Sequence, residues 1–115
     1  MQDELDGVLG PPDSLEFRLP TWDDRPSTPY LEAVISETLR HHPPLGTGVP
    51  HSVTEEDEYR GWRIPKGSIV FANAWGMLHS EENYKNPQVF QPERFLGDTP
   101  ELDPLSNGTF GFGRR

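Results

Sequence analysis

The 115 residues include 13 prolines and 11 glycines, together about 21%, where average usage gives roughly 12%. Proline fixes φ and lacks a backbone donor, and glycine favours turns. Such a chain is mostly turns and extended connections joined by a few regular elements. Apolar residues make up only 32%, below the roughly 45–50% (glycine included) of a typical globular domain. Aromatics reach 10%, so the composition is not that of a chain disordered by design. It reads as one domain at most, and as part of a larger core.

The formal net charge of −9 lacks the basic stripe that nucleic acid requires, so no nucleic-acid partner is expected. The acids gather before residue 25 and again at 55–58, and read as solvated loops. There is no cysteine, hence no disulfide partner, thiolate metal site or cysteine nucleophile within these residues. No stretch approaches the roughly 18 apolar residues of a membrane span. Met1-Gln2-Asp3-Glu4 is acidic where a secretory or mitochondrial leader is basic, so no targeting segment is expected.

Leu5, Val8 and Leu9 have helical spacing, and residues 1–10 read as the frayed end of a helix stopped by Gly10-Pro11-Pro12. Residues 11–27 form a proline- and aspartate-rich connection, with Leu15, Phe17, Leu19 and Trp22 as expected packing points. The best helix follows at 29–41. Thr28 suits the N-cap, Pro29 the first helical position, and Glu32 the positive end of the dipole. Leu31, Val34, Ile35, Thr38 and Leu39 share one arc of its wheel. His42-Pro43-Pro44 ends it.

Residues 49–54 and 59–64 are extended candidates separated by an acidic turn. Ile64-Pro65-Lys66-Gly67 reads as a type I turn with proline second and glycine fourth. The return strand over 68–74 is apolar on both faces, which predicts burial on both sides. Trp75 to His79 is briefly helical, and Ser80 suits a cap for a second short helix over 81–84. Residues 88–109 have no periodicity, and a loop of that length is functional or disordered.

Three features carry chemistry. Glu37 and Arg40 lie three apart on the helix, beside its apolar arc; read alone, they are an exposed ion pair. Pro92-Glu93-Arg94-Phe95 places a second arginine in the aperiodic loop. One carboxylate can accept from two guanidinium forks, so Glu37, Arg40 and Arg94 can also form a buried triad pinning loop to helix. Phe110-Gly111-Phe112-Gly113-Arg114-Arg115 combines two turning glycines, two rings suited to a flat ligand and an arginine pair suited to an acidic group. It also reads as an aromatic hairpin tip or a basic tail. The histidines do not assemble a metal site: His41 and His42 diverge by about 100° on a helix, and His51 and His79 lack a partner at ligand spacing. No serine–histidine–aspartate hydrolase motif is present.

Glu37-x-x-Arg40, then Pro92-Glu93-Arg94-Phe95, then Phe110-x-x-Gly113-x-Arg115, in this order and spacing, resembles the signature of the cytochrome P-450 monooxygenases. Leu19-Pro20-Thr21 and Phe71-Ala72-Asn73-Ala74-Trp75 are similar to fungal members, and the resemblance covers essentially the whole chain. It implies a parent fold that is mainly α with a small β-sheet, an α+β fold. Residues 1–115 would then run from the end of the J helix through the K helix, β1-type strands and meander to the first half of the heme loop. The cofactor implied is heme. The resemblance assigns Glu37, Arg40 and Arg94 to the structural triad, and His51, Phe110, Gly113 and Arg115 to cofactor contact. It places Leu45, Gly46, Thr47, Gly48 and Val49 facing substrate.

The partners implied for the parent are a small organic substrate and an NADPH-dependent cytochrome reductase, and its expected location is the endoplasmic reticulum membrane. In the family an iron-ligating cysteine follows two residues beyond the position of Arg115, and thiolate ligation favours O–O cleavage. With that cysteine, the long central helix and the N-terminal anchor all outside these residues, the expectation is an inactive fragment of a monooxygenase. The alternatives are a non-catalytic binding or regulatory module and a dead-gene product. An in-frame Cys-x-Gly in the coding sequence after Arg115 separates the first reading from the others.

Overall fold

A computed structural model describes residues 1–106 and 108–112. The architecture is α+β: three α-helices, two 3-10 segments and two small antiparallel ribbons among the described residues. Helix α1 is Gln2–Leu9, α2 is Pro29–His41 and α3 is Ala74–Leu78. The 3-10 segments are Trp22–Ser27 and Pro92–Phe95. No described helix is long and apolar enough to cross a membrane.

Helix α2 spans the residues the sequence predicts, but its N-terminus is closed differently. The Thr28 hydroxyl donates back to Arg25 O (3.1 Å) instead of accepting from the first turn. The carboxylate of Glu4, on α1, accepts from the Tyr30 and Leu31 amides at 2.8 and 2.9 Å. A carboxylate at this end also suits the helix dipole. At the other end His42 leaves the helix with φ −131° and ψ 71°. Its ring thereby turns back on its neighbour, and the two Nδ1 atoms lie 3.2 Å apart rather than diverging as a continuous helix would direct them.

Strands β1 (His51–Ser52) and β4 (Ile69–Val70) pair antiparallel, His51 opposite Val70 and Ser52 opposite Ile69. Between them β2 (Asp57–Tyr59) and β3 (Trp62–Ile64) form a hairpin. Its two-residue loop is Arg60-Gly61, with φ of 53° and 83°. Two positive φ values give the turn whose twist matches antiparallel strands. Residues 59–64 are therefore the last residue of β2, a two-residue turn and β3, not the single strand expected, and the acidic stretch 55–58 runs into β2. The next turn is also shifted by one residue. Ser68 N–H donates to Pro65 O (3.1 Å), and Gly67 sits third with φ 82°, which is type II and not type I.

The buried set among the described residues is small: Leu9, Ala33, Ala74, Leu78 and Tyr84, with Thr28, Glu37, Arg40, Arg94 and Thr109, and besides them Pro87, Pro92, Pro104 and Gly108. On α2 the buried face is Ala33, Glu37 and Arg40, while Ile35 of the expected apolar arc is 46% exposed. The return strand does not gain its two covering layers: Ile69, Val70 and Phe71 are exposed. Leu15, Phe17, Leu19 and Trp22 are exposed too, contrary to their expected packing role. Backbone bonds shape that connection, Arg18 N–H to Leu9 O (3.0 Å) and Phe17 N–H to Ser14 O (3.3 Å), and they leave its side chains outward. Residues 81–84 make only turns, around Asn83 and Tyr84 amides donating to Ser80 O. Four residues are too few to sustain a helix by themselves, and the Asn83 side chain donates instead to Met77 O at 2.9 Å.

Candidate functional site: a buried ion cluster and an apolar cavity

Glu37 and Arg40 face inward from α2, and their side chains have 0% exposure. Arg40 Nε and Nη2 donate to the two Glu37 oxygens at 2.7 and 2.9 Å, a bidentate pair. Arg40 Nη1 donates to Leu78 O (2.9 Å), tying α2 to the end of α3, and the guanidinium stands 5.4 Å from the Tyr84 ring centroid. The 3-10 turn at Pro92–Phe95 brings Arg94 to the same carboxylate, with Nε 3.2 Å from Glu37 Oε2. Glu37 Oε1 also accepts from the Gln91 amide at 2.7 Å. Burial pushes the Glu37 carboxyl up, but Arg40, the Gln91 amide and the two guanidinium charges outweigh it and hold it below its ordinary value.

The remaining Arg94 hydrogens are also used. Nη1 donates to Lys85 O and Glu101 Oε2, both 2.7 Å; Nη2 donates to Val89 O (3.1 Å) and Asn86 O (3.4 Å). Residues 85–91 thus wrap the guanidinium, which is how an aperiodic loop stays ordered without a regular element of its own.

The loop beyond Arg94 returns to an apolar cavity of about 450 Å³. One wall is Pro44, Leu45, Gly48 and Val49, after α2; a second is His51 and Val70 of the β1–β4 ribbon with Ala72 just beyond it; the third is residues 108–112. Gly48 has φ 66°, and a Cβ there would lie 2.9 Å from Ala72 O, so glycine permits the close approach of the first two walls. Gly46 O accepts from Trp75 N (2.7 Å), which fastens the first wall to α3. The third wall is held at Thr109, whose amide and hydroxyl donate to Pro104 O at 3.3 and 2.7 Å.

The structure therefore brings Glu37, Arg40 and Arg94 into one cluster, and places Leu45, Gly48, Val49, His51 and Phe110 around one cavity. Gly46 and Thr47 do not line it. Gly113 and Arg115 lie outside the described residues. Sequence reasoning missed Glu101, Gln91, Tyr84 and Thr109, which join through backbone or long-range contacts with no periodicity; Phe112, one of the two rings of the terminal motif, lines the cavity beside Phe110.

Fold and site define a class: a helix-and-ribbon scaffold in which a buried arginine–carboxylate cluster anchors a glycine–aromatic loop against an apolar cavity. The sequence model of the cytochrome P450 family matches residues 1–115. The chain is 50% identical over 117 residues to cytochrome P450 monooxygenase claR of Ampulloclitocybe clavipes, covering 99% of this chain and 21% of that protein. It is 45% identical over 118 residues to cytochrome P450 monooxygenase COX1 of Coprinopsis cinerea (99% and 22%). With a monooxygenase of Armillaria gallica it shares 42% over 114 residues (99% and 21%). The chain belongs to the cytochrome P450 family, and its relatives here are fungal. It spans about a fifth of the length of these curated relatives.

Proposed function

We propose that residues 1–115 form the part of a heme-dependent monooxygenase from the end of the J helix through the first half of the heme-binding loop. The observation that carries this reading is the convergence of three separate sequence motifs. The Glu37–Arg40–Arg94 cluster anchors the loop, and the anchored loop presents Phe110 across one cavity from Leu45, Val49 and His51. The cavity walls suit the flat apolar face of heme, with Phe110 and Phe112 offering ring contact and His51 a polar group at the rim. His51, with Gly113 and Arg115, would hold the cofactor's edge and carboxylates, and residues 45–49 would face the substrate. The 115 residues contain no cysteine, so a thiolate ligand does not come from them.

Heme bound in the whole protein supplies activation of dioxygen, for insertion of one oxygen atom into a small organic substrate with electrons from NADPH through a reductase. This chain's residues position that chemistry without performing it, and the chain alone is inactive. For the whole protein the reading implies an endoplasmic reticulum location.

The test is a chimera in which residues 1–115 replace the matching segment of one of the fungal relatives. The expected holoprotein shows the carbon-monoxide difference band of thiolate-ligated iron and NADPH-dependent oxygenation. A soluble chimera that takes up heme yet shows neither would overturn the reading.

A further inference from the structure

The triad does not balance its own charge. One carboxylate, Glu37, faces two guanidiniums, Arg40 and Arg94, all three with side chains at 0–2% exposure. An unmatched charge in such a site is costly unless a further group neutralises it. Glu101 is placed to do so: its Oε2 lies 2.7 Å from Arg94 Nη1, with 25% of the side chain exposed. The same oxygen accepts from the Lys85 amide at 3.3 Å, and Glu101 N–H donates to Arg94 O at 2.9 Å. Residue 101 is thus bonded to residue 94 through both backbone and side chain.

Three residues on, Pro104 is fully buried and its carbonyl takes both bonds from Thr109. The Asp103 carboxylate accepts from the Leu105 amide (3.0 Å) and the Ser106 hydroxyl (3.4 Å), turning the chain between those two points. Thr109 opens directly into the cavity wall at 108–112.

We infer that Glu101 is the fourth member of the buried cluster, a positioning residue that neutralises Arg94 and, through Pro104 and Thr109, sets the cavity wall. It makes the cluster a neutral tetrad of two acids and two arginines. Its functional meaning rests on the reading above, in which that wall contacts the cofactor. Its mechanical role does not.

The test is amide hydrogen exchange on the full chain, comparing wild type with Glu101→Gln, which keeps the shape and removes the charge, and Glu101→Asp, which keeps the charge. Glu101→Gln is expected to speed exchange of the 101–112 amides at least tenfold, the scale of a charge-assisted bond, while α1 keeps its rates. Glu101→Asp is expected to fall nearer wild type. The inference is overturned if the 101–112 rates do not change or if every segment accelerates together. It is also overturned if Glu101→Asp is worse than Glu101→Gln, or if the wild-type wall exchanges unprotected. The readout needs no bound group, so failure of the monooxygenase reading in the chimera leaves this result to stand or fall separately.

Discussion

Glu37 is the acceptor on which two arginines and the Gln91 amide converge, and each of those partners loses its charged acceptor if the carboxylate is neutralised. Glu37→Gln is expected to destabilise the cluster by about 3–5 kcal/mol, the cost of breaking a buried ion pair from one side. Amide exchange over 91–101, measured against α1, checks it. Acid acts the same way. The Glu37 carboxyl is held below its ordinary value of 4.5, so its contribution is present above that pH and is lost as pH falls through the depressed value. Burial lowers His79 from 6.5, assisted by the charges of Arg40, His41 and His42 and opposed by its bond to Trp75 O. A lowered base favours the neutral fold: its contribution is complete above pH 6.5 and declines on acidification. An NMR titration is expected to place the imidazole below 6.5, neutral at pH 7; a value at or above 6.5 would remove this acid-sensitive step.

At the scale of elements, α2 has a cap that its own sequence does not provide. Thr28 looks like the N-cap residue, yet the bonds to the Tyr30 and Leu31 amides come from Glu4 on α1. Glu4→Ala is expected to cost about 0.5–2 kcal/mol of local stability and to raise exchange at those two amides. Thr28→Ala is expected to leave them protected; the opposite ranking would restore Thr28 as the cap. This explains what was legible locally and what was not. Pro29 and the His42-Pro43-Pro44 stop mark the bounds of α2 because backbone sterics act within a few residues. The turn at Arg60-Gly61 escaped because arginine carries no turn signal, although Gly61 did. The short helix over 81–84 gave way to turns because its residues are claimed from outside it: the Tyr84 ring is buried beside Arg40, and the Asn83 side chain donates to Met77 O.

For the whole molecule, the Cα radius of gyration is 19.4 Å and the extents are 65 × 28 × 21 Å, where a compact chain of this length has a radius near 13 Å. Trp22, Trp62, Leu19 and Ile69 lie largely exposed, and apart from prolines the buried apolar set is five residues among those described. Too little apolar area leaves water to drive a single cooperative transition. The isolated chain is expected to melt broadly, and a sharp two-state transition of a monomer by calorimetry would contradict that view. Purified and mixed with hemin, it is expected to give no carbon-monoxide band of thiolate-ligated iron, since it holds no cysteine.

The sequence by itself determined the bounds of α2, the family through three motifs in order, and the α+β character of the chain. These depend on local sterics or on residue identity at fixed spacing. Tertiary structure decided which face of α2 is buried, and it chose the charged one. Hydrophobic periodicity ranked Leu31, Val34 and Ile35 as the inner face, because it scores each residue without its partners. Glu37 and Arg40 are inside because Arg94, Gln91, Leu78 and Val89 arrive from segments 38 to 57 residues away to satisfy them. Only folding brings those donors and acceptors together, and a buried charge is tolerable only where they meet.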